Sequence, residues 1–113
     1  RDRAQVETCA TNYVALADAT ALGVSITARG NSSDFVSRFF IPQLGINEDP
    51  VTGSAHCQLT PHWAARLGKN ELTAQQLSPR GGDLKCELKG DRVQLSGNCR
   101  LFAEGVLHLP SAE

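Results

Sequence analysis

Residues 50–68 limit the fold more than any other segment, because a proline, an apolar stripe and a glycine follow one another there. In SAHCQLTPHWAARLG, Ala55, Leu59, Trp63 and Leu67 recur every four residues and form one helical stripe. Gly68 supplies a left-handed stop at its end. Pro61 complicates the helix, since it removes one hydrogen bond and crowds the preceding turn. Either the helix kinks there, or it restarts with Thr60 as N-cap and Pro61 at the first position. One continuous, kinked element is the expectation.

The flanking sequence is mostly β. NYVALADATAL (12–22) is an Ala-rich helical stretch ending at Gly23. VSITAR (24–29) alternates as a strand, GNSSD (30–34) is a turn, and FVSRFFIP (35–42) reads as a buried strand with Arg38 set in it. After the long helix come ELTAQQLS (71–78), the glycine turn PRGGD (79–83), LKCELK (84–89), a Gly90–Asp91 turn and RVQLSG (92–97). CRLFAEGVLHL (99–109) reads as one long strand or two short ones. The predicted class is α+β: a mostly antiparallel sheet, possible to curl around the single central helix.

At 113 residues the chain fits one domain, residues 1–113. Its 11 basic and 12 acidic residues are spread evenly, so there is no basic run to supply phosphate contacts, and nucleic acid is not expected as a partner. No apolar run is long enough to span a bilayer, and no signal peptide is visible, so a cytoplasmic location is expected. The chain begins with Arg and has no Met, which suits a processed chain or a piece of a longer one. Cys9, Cys57, Cys86 and Cys99 lack metal-ligand spacing. They are read as reduced thiols, small hydrophobes of the interior. No metal or cofactor is expected.

The chemistry is concentrated in EDPVTGSAH (48–56). Pro50 forces Asp49 to be extended, so the side chains of Glu48 and Asp49 point opposite ways and at most one is a working acid. Gly53, Ser54, Ala55 and His56 open the helix, where the first N–H groups have no partner within it. Those donors suit a carboxylate or phosphate. Thr52 or Ser54 as an N-cap beside acidic residues accounts for the same pattern as ordinary stabilisation of about 1 kcal/mol.

FIPQLGINEDPVTGSAHCQL, HWAARLGKNELTAQQLSPRGGDLKCEL and GDRVQLSG resemble the C-terminal half of the phenazine-biosynthesis PhzF-like isomerases, over about Phe35 to Leu109. The resemblance implies a diaminopimelate epimerase-like fold. In it, two similar halves each curl a mostly antiparallel sheet into a barrel around one central α-helix, and the helix N-termini face across a cleft. It implies that Asp49 and Ser54 line that cleft and that the backbone at Gly53 holds a substrate carboxylate. It also implies that the principal acid/base is a glutamate of the other half, moving a proton without cofactor or metal. That half is absent here. The cysteine pair of related epimerases has no counterpart, since Pro50 and Val51 stand at the helix entrance and Cys57 lies a turn inside.

His56 is a candidate ligand donor, with a core role as the alternative. His62 and His108 have no partner pattern. Arg38 is expected to pair structurally, Trp63 to sit in the core, and Arg80-Gly81-Gly82 to make a turn that also matches a family signature. The expected function is therefore one half of a cofactor-independent isomerase or epimerase acting on a small carboxylic acid. Asp49 is its catalytic group, and Thr52, Gly53, Ser54, Ala55 and His56 bind substrate. The alternative is a stand-alone half that homodimerises, with exchanged C-terminal strands, and binds small anions or a protein partner without turnover.

Overall fold

The computed structural model describes residues 2–19 and 22–110. Two short helices, α1 (Arg3–Glu7) and α2 (Tyr13–Ala17), precede β1 (Val24–Arg29) and β2 (Phe35–Ile41). A 3-10 turn (Pro42–Leu44) leads into β3 (Ile46–Glu48), then the long helix α3 (Gly53–Leu67) and β4 (Glu71–Gln76), β5 (Gly82–Lys89) and β6 (Arg92–Ser96).

The sheet order is β1-β2-β4-β5-β6, with β3 also on β2. Only β2 and β4 run parallel, joined across α3; the other pairs are antiparallel. β2 changes partner along its length. Phe35, Val36 and Ser37 pair with Ala74, Gln75 and Gln76 of β4, whereas Phe40 and Ile41 pair with Glu48 and Ile46 of β3. The two neighbours part around Ser37–Phe39, where the Ser37 carbonyl takes the Leu77 N–H and the Phe39 carbonyl takes the Asp49 N–H.

α3 packs its predicted stripe on this sheet. Leu59, Trp63 and Ala64 form one core with Phe35, Leu72, Ala74 and Cys86, and Leu67 packs against it. The Trp63 ring stacks on Phe35 with centroids 5.8 Å apart, and its indole N–H donates to Thr27 Oγ1 at 2.9 Å. Burial thus satisfies the polar end of the ring as well as its apolar body. α3 is a single element through Pro61, and Gly68 ends it at φ 67°. On the other sheet face α1 buries Val6 against Ala28 and Val36, so β2 is covered on both sides as its composition predicts.

Several expectations need correction. The sheet is open, with β1 and β6 each paired on one side only, so it does not curl into a barrel. The 12–22 helix shrinks to Tyr13–Ala17, capped by the Asn12 side chain; Thr20 and Ala21 lie outside the described residues. The strand at 99–109 does not form: residues 97–110 are neither helix nor strand, and Leu101, Phe102, Val106, Leu107 and Leu109 are exposed. An apolar alternation makes a strand only when a sheet edge or core accepts it. Of the four free cysteines only Cys86 is buried, where burial pushes its thiol up; Cys57 and Cys99 are exposed. α1, β3 and the 3-10 turn were not anticipated, although Asp2 and Gln5 form a reciprocal capping box.

Candidate functional site

Pro50 separates the two acids as expected. The Glu48 side chain turns to Arg38, which meets it with Nε–Oε1 at 2.7 Å and Nη2–Oε2 at 2.8 Å. Arg38 Nη1 also donates to the carbonyls of Val6, Glu7 and Cys9 at the end of α1, and the guanidinium lies 4.9 Å from the Phe40 ring centroid. Glu48 is therefore a structural acid. Asp49 is half-buried at the entrance of α3, where its Oδ2 accepts the Thr52 hydroxyl at 2.6 Å.

That contact changes the reading of the helix cap. Thr52 occupies the N-cap position of α3 but makes no side-chain capping bond, because its hydroxyl is committed to Asp49. The helix starts with exposed Gly53 and Ser54, and its own ladder begins with the His56 N–H on the Thr52 carbonyl at 3.2 Å. The amides of Gly53, Ser54 and Ala55 precede that first bond and carry the positive end of the helix dipole. The Ala55 side chain is in the core, so only its backbone can serve a ligand.

His56 differs from its expected role. The ring is fully buried, 5.8 Å from Phe35, with Nδ1 2.8 Å from the Thr52 carbonyl. A carbonyl only accepts, so Nδ1 carries the proton and Nε2 is left as an acceptor with no partner among the described residues. Burial holds the imidazole below its ordinary value, only partly offset by the Thr52 carbonyl. The ring supports the site loop from inside and reaches no open surface.

The polar residue that sequence reasoning missed is Gln76, fully buried at the end of β4. Its Oε1 accepts the Thr52 N–H at 2.8 Å, and its Nε2 donates to the Asp49 carbonyl at 2.7 Å and to Thr52 Oγ1 at 3.0 Å. Ser78 adds a bond to the Pro50 carbonyl at 2.8 Å while accepting the Gly81 N–H at 2.9 Å. The only prior signal was a glutamine in an inward-facing register of a strand, a position that demands partners. The PRGGD turn closes over the same loop. Gly81 has φ 71°, as a turn glycine should, but Gly82 is constrained differently: a Cβ there would run into Val51 Cγ2. Beside the helix start lies an open depression of about 490 Å³, lined by Val51, Gly53, Arg80, Gly82 and Leu95 among others.

Among the described residues no group of three His, Cys, Asp or Glu side chains could hold a metal ion, and no helix is long and apolar enough to cross a membrane. The profile of the family described as phenazine biosynthesis-like protein (PhzC-PhzF) matches residues 3–105. An uncharacterized isomerase of Pseudomonas aeruginosa is 55% identical over 104 residues, covering 92% of this chain and 40% of the relative. A second uncharacterized isomerase from that organism is 47% identical over 108 residues, covering 96% and 42%. The crystal structure of a PhzF-family phenazine biosynthesis protein from Enterococcus faecalis superposes with a TM-score of 0.87 at 49% identity, covering 91% of this chain and 40% of that one. The chain thus spans about 40% of the length of these relatives.

Proposed function

Since the chain belongs to the phenazine biosynthesis-like (PhzC-PhzF) family, we propose that it is the C-terminal half of an isomerase that moves a proton on a small carboxylic acid. The observation that carries this reading is the uncapped entrance of α3 beside Asp49. Three amides without a partner among the described residues and the Ser54 hydroxyl offer hydrogen bonds to a substrate carboxylate, and Arg80 lines the adjoining depression. Asp49 stands next to that anion site with one carboxylate oxygen held and the other available to exchange a proton with a substrate carbon. A second acid, supplied by another half across the cleft, returns the proton to a different position or face. The relatives are more than twice as long as this chain, which is room for such a half.

The exposed apolar side chains at 101–109 favour a second reading in one respect. Five large hydrophobes in solvent call for a covering surface, and another copy of this chain could provide it, giving a homodimer that binds small anions without turnover.

One measurement tests the anion site that both readings share, and a second separates them. Amide resonances of Gly53, Ser54 and Ala55 should move on titration with benzoate; no movement removes the anion site. A protein extended to the relatives' length should incorporate solvent deuterium into a small carboxylic acid, and the 113-residue chain should not. Equal exchange sinks both readings, and none in either sinks the shared-site reading in favour of a stand-alone half.

A further inference from the structure

We infer that Gln76 and Thr52 form a positioning pair that decides which oxygen of Asp49 carries the mobile proton; this rests on the role proposed for Asp49. The direction of every bond in the chain of contacts is fixed. The Thr52 backbone N–H can only donate, so the group 2.8 Å from it is the Gln76 carbonyl oxygen, and the Gln76 amide is oriented without ambiguity. Its Nε2 can then only donate, and it faces the Thr52 hydroxyl oxygen at 3.0 Å and the Asp49 carbonyl at 2.7 Å. The hydroxyl oxygen, having accepted from Gln76, has one proton to give, and Asp49 Oδ2 lies 2.6 Å away.

This directionality has a chemical consequence. A proton placed on Oδ2 would meet the hydroxyl proton, which could avoid it only by turning to its one remaining direction, where it meets no acceptor among the described residues. Protonation at Oδ2 therefore breaks a short, charge-assisted bond in a half-buried setting, where an unmade bond costs more than in open solvent. Oδ1 meets no donor among the described residues, so it takes and releases the proton. Gln76 touches neither substrate nor the reacting carbon; it acts through Thr52. The same contacts also staple the site loop to β4, and the staple is the rival explanation.

The two roles are separated by the side-chain carboxyl ¹³C resonance of Asp49 in the 113-residue chain, which senses the hydrogen bond at Oδ2 whether or not the chain has any activity. Thr52→Val removes the hydroxyl but keeps the backbone contact to Gln76, and it should displace the resonance. Thr52→Ser should restore it. Gln76→Glu keeps an acceptor for the Thr52 N–H but has no donor at neutral pH; it should displace the resonance too, and combining it with Thr52→Val should add nothing further. Amide resonances of β5 and β6 that stay in place serve as the control that each variant folds as the unsubstituted chain does. A resonance unmoved by Thr52→Val, or displacements that add in the double variant, would overturn the inference and leave Gln76 as a staple. If Gln76→Glu does not fold, the Thr52 pair alone decides. Loss of benzoate binding in the unsubstituted chain would count against the anion site while leaving this carboxyl test intact.

Discussion

Arg38 and Glu48 meet end-on through two parallel contacts, with only 12% and 9% of their side chains exposed, and this pairing takes one of two adjacent acids out of the site. A single proline and a single largely buried arginine thereby turn neighbouring carboxylates in opposite directions. Losing Arg38 leaves Glu48 as an uncompensated buried charge and strips three carbonyls at the end of α1. Arg38→Ala should cost about 3–5 kcal/mol in denaturant unfolding. Glu48→Gln, which leaves the guanidinium its carbonyl partners, should cost about 1–3 kcal/mol.

Gly82 is small because Val51 leans on it. Gly82→Ala should destabilise the chain by about 1–3 kcal/mol and shift the amides of the 49–54 loop. Val51→Ala in the same chain should recover most of both effects. A double variant no better than Gly82→Ala would mean that the clash is not with Val51.

His56 sets a pH dependence whose sign follows from its burial. Its folded value lies below the ordinary 6.5, so below that pH the unfolded chain binds a proton that the folded chain resists. Stability should be full above about pH 6.5 and fall as the pH is lowered through the folded value. Burial pushes the Asp34 carboxyl up, but Lys69 and Thr73 outweigh it and hold the group below its ordinary 3.8, so its contribution fades only at more acid pH. Unfolding midpoints between about pH 5 and 7 should thus flatten in His56→Gln.

Asp49 should oppose anion binding while being needed for turnover. Asp49→Asn removes a negative charge beside the α3 entrance and should tighten benzoate binding, by up to about tenfold at low salt. In the protein extended to the relatives' length, it should cut deuterium incorporation by roughly 10²- to 10⁴-fold. Tighter binding with undiminished exchange would remove Asp49 from the chemistry.

Much of this architecture was legible because it is local. The Ala55–Leu59–Trp63–Leu67 stripe, the Gly68 stop and the alternation in 24–29 and 84–89 each follow from a short-range period or a required backbone angle. So did the opposite directions of the Glu48 and Asp49 side chains, which need only Pro50, whereas the choice of Asp49 as the acid of the site came from the family resemblance. The failures are non-local. Nothing within 99–109 tells whether a sheet edge will accept it, and closure of a barrel depends on that same edge. Gln76 lies 24 residues from Thr52, and no spacing rule connects a strand end to a helix cap. Thr52 looked like a cap because the residue type suits one; its hydroxyl was taken by the acid three positions earlier.

The change of partner along β2 places the site on a seam. Three residue pairs hold β2 to β4, and just beyond them the loop that carries Asp49 is joined to β4 by Gln76 and Ser78. Parting of β4 from β2 would free the Leu77 N–H from the Ser37 carbonyl and, because the loop is also tied to β2 through the Asp49 N–H on the Phe39 carbonyl, would pull the Thr52 N–H from Gln76 with it. Hydrogen exchange at these two amides should then report one shared opening, with a free energy below that of global unfolding. The competence of the acid would in that case be lost in a partial opening, while α3 and the β4-β5-β6 meander still hold their shape.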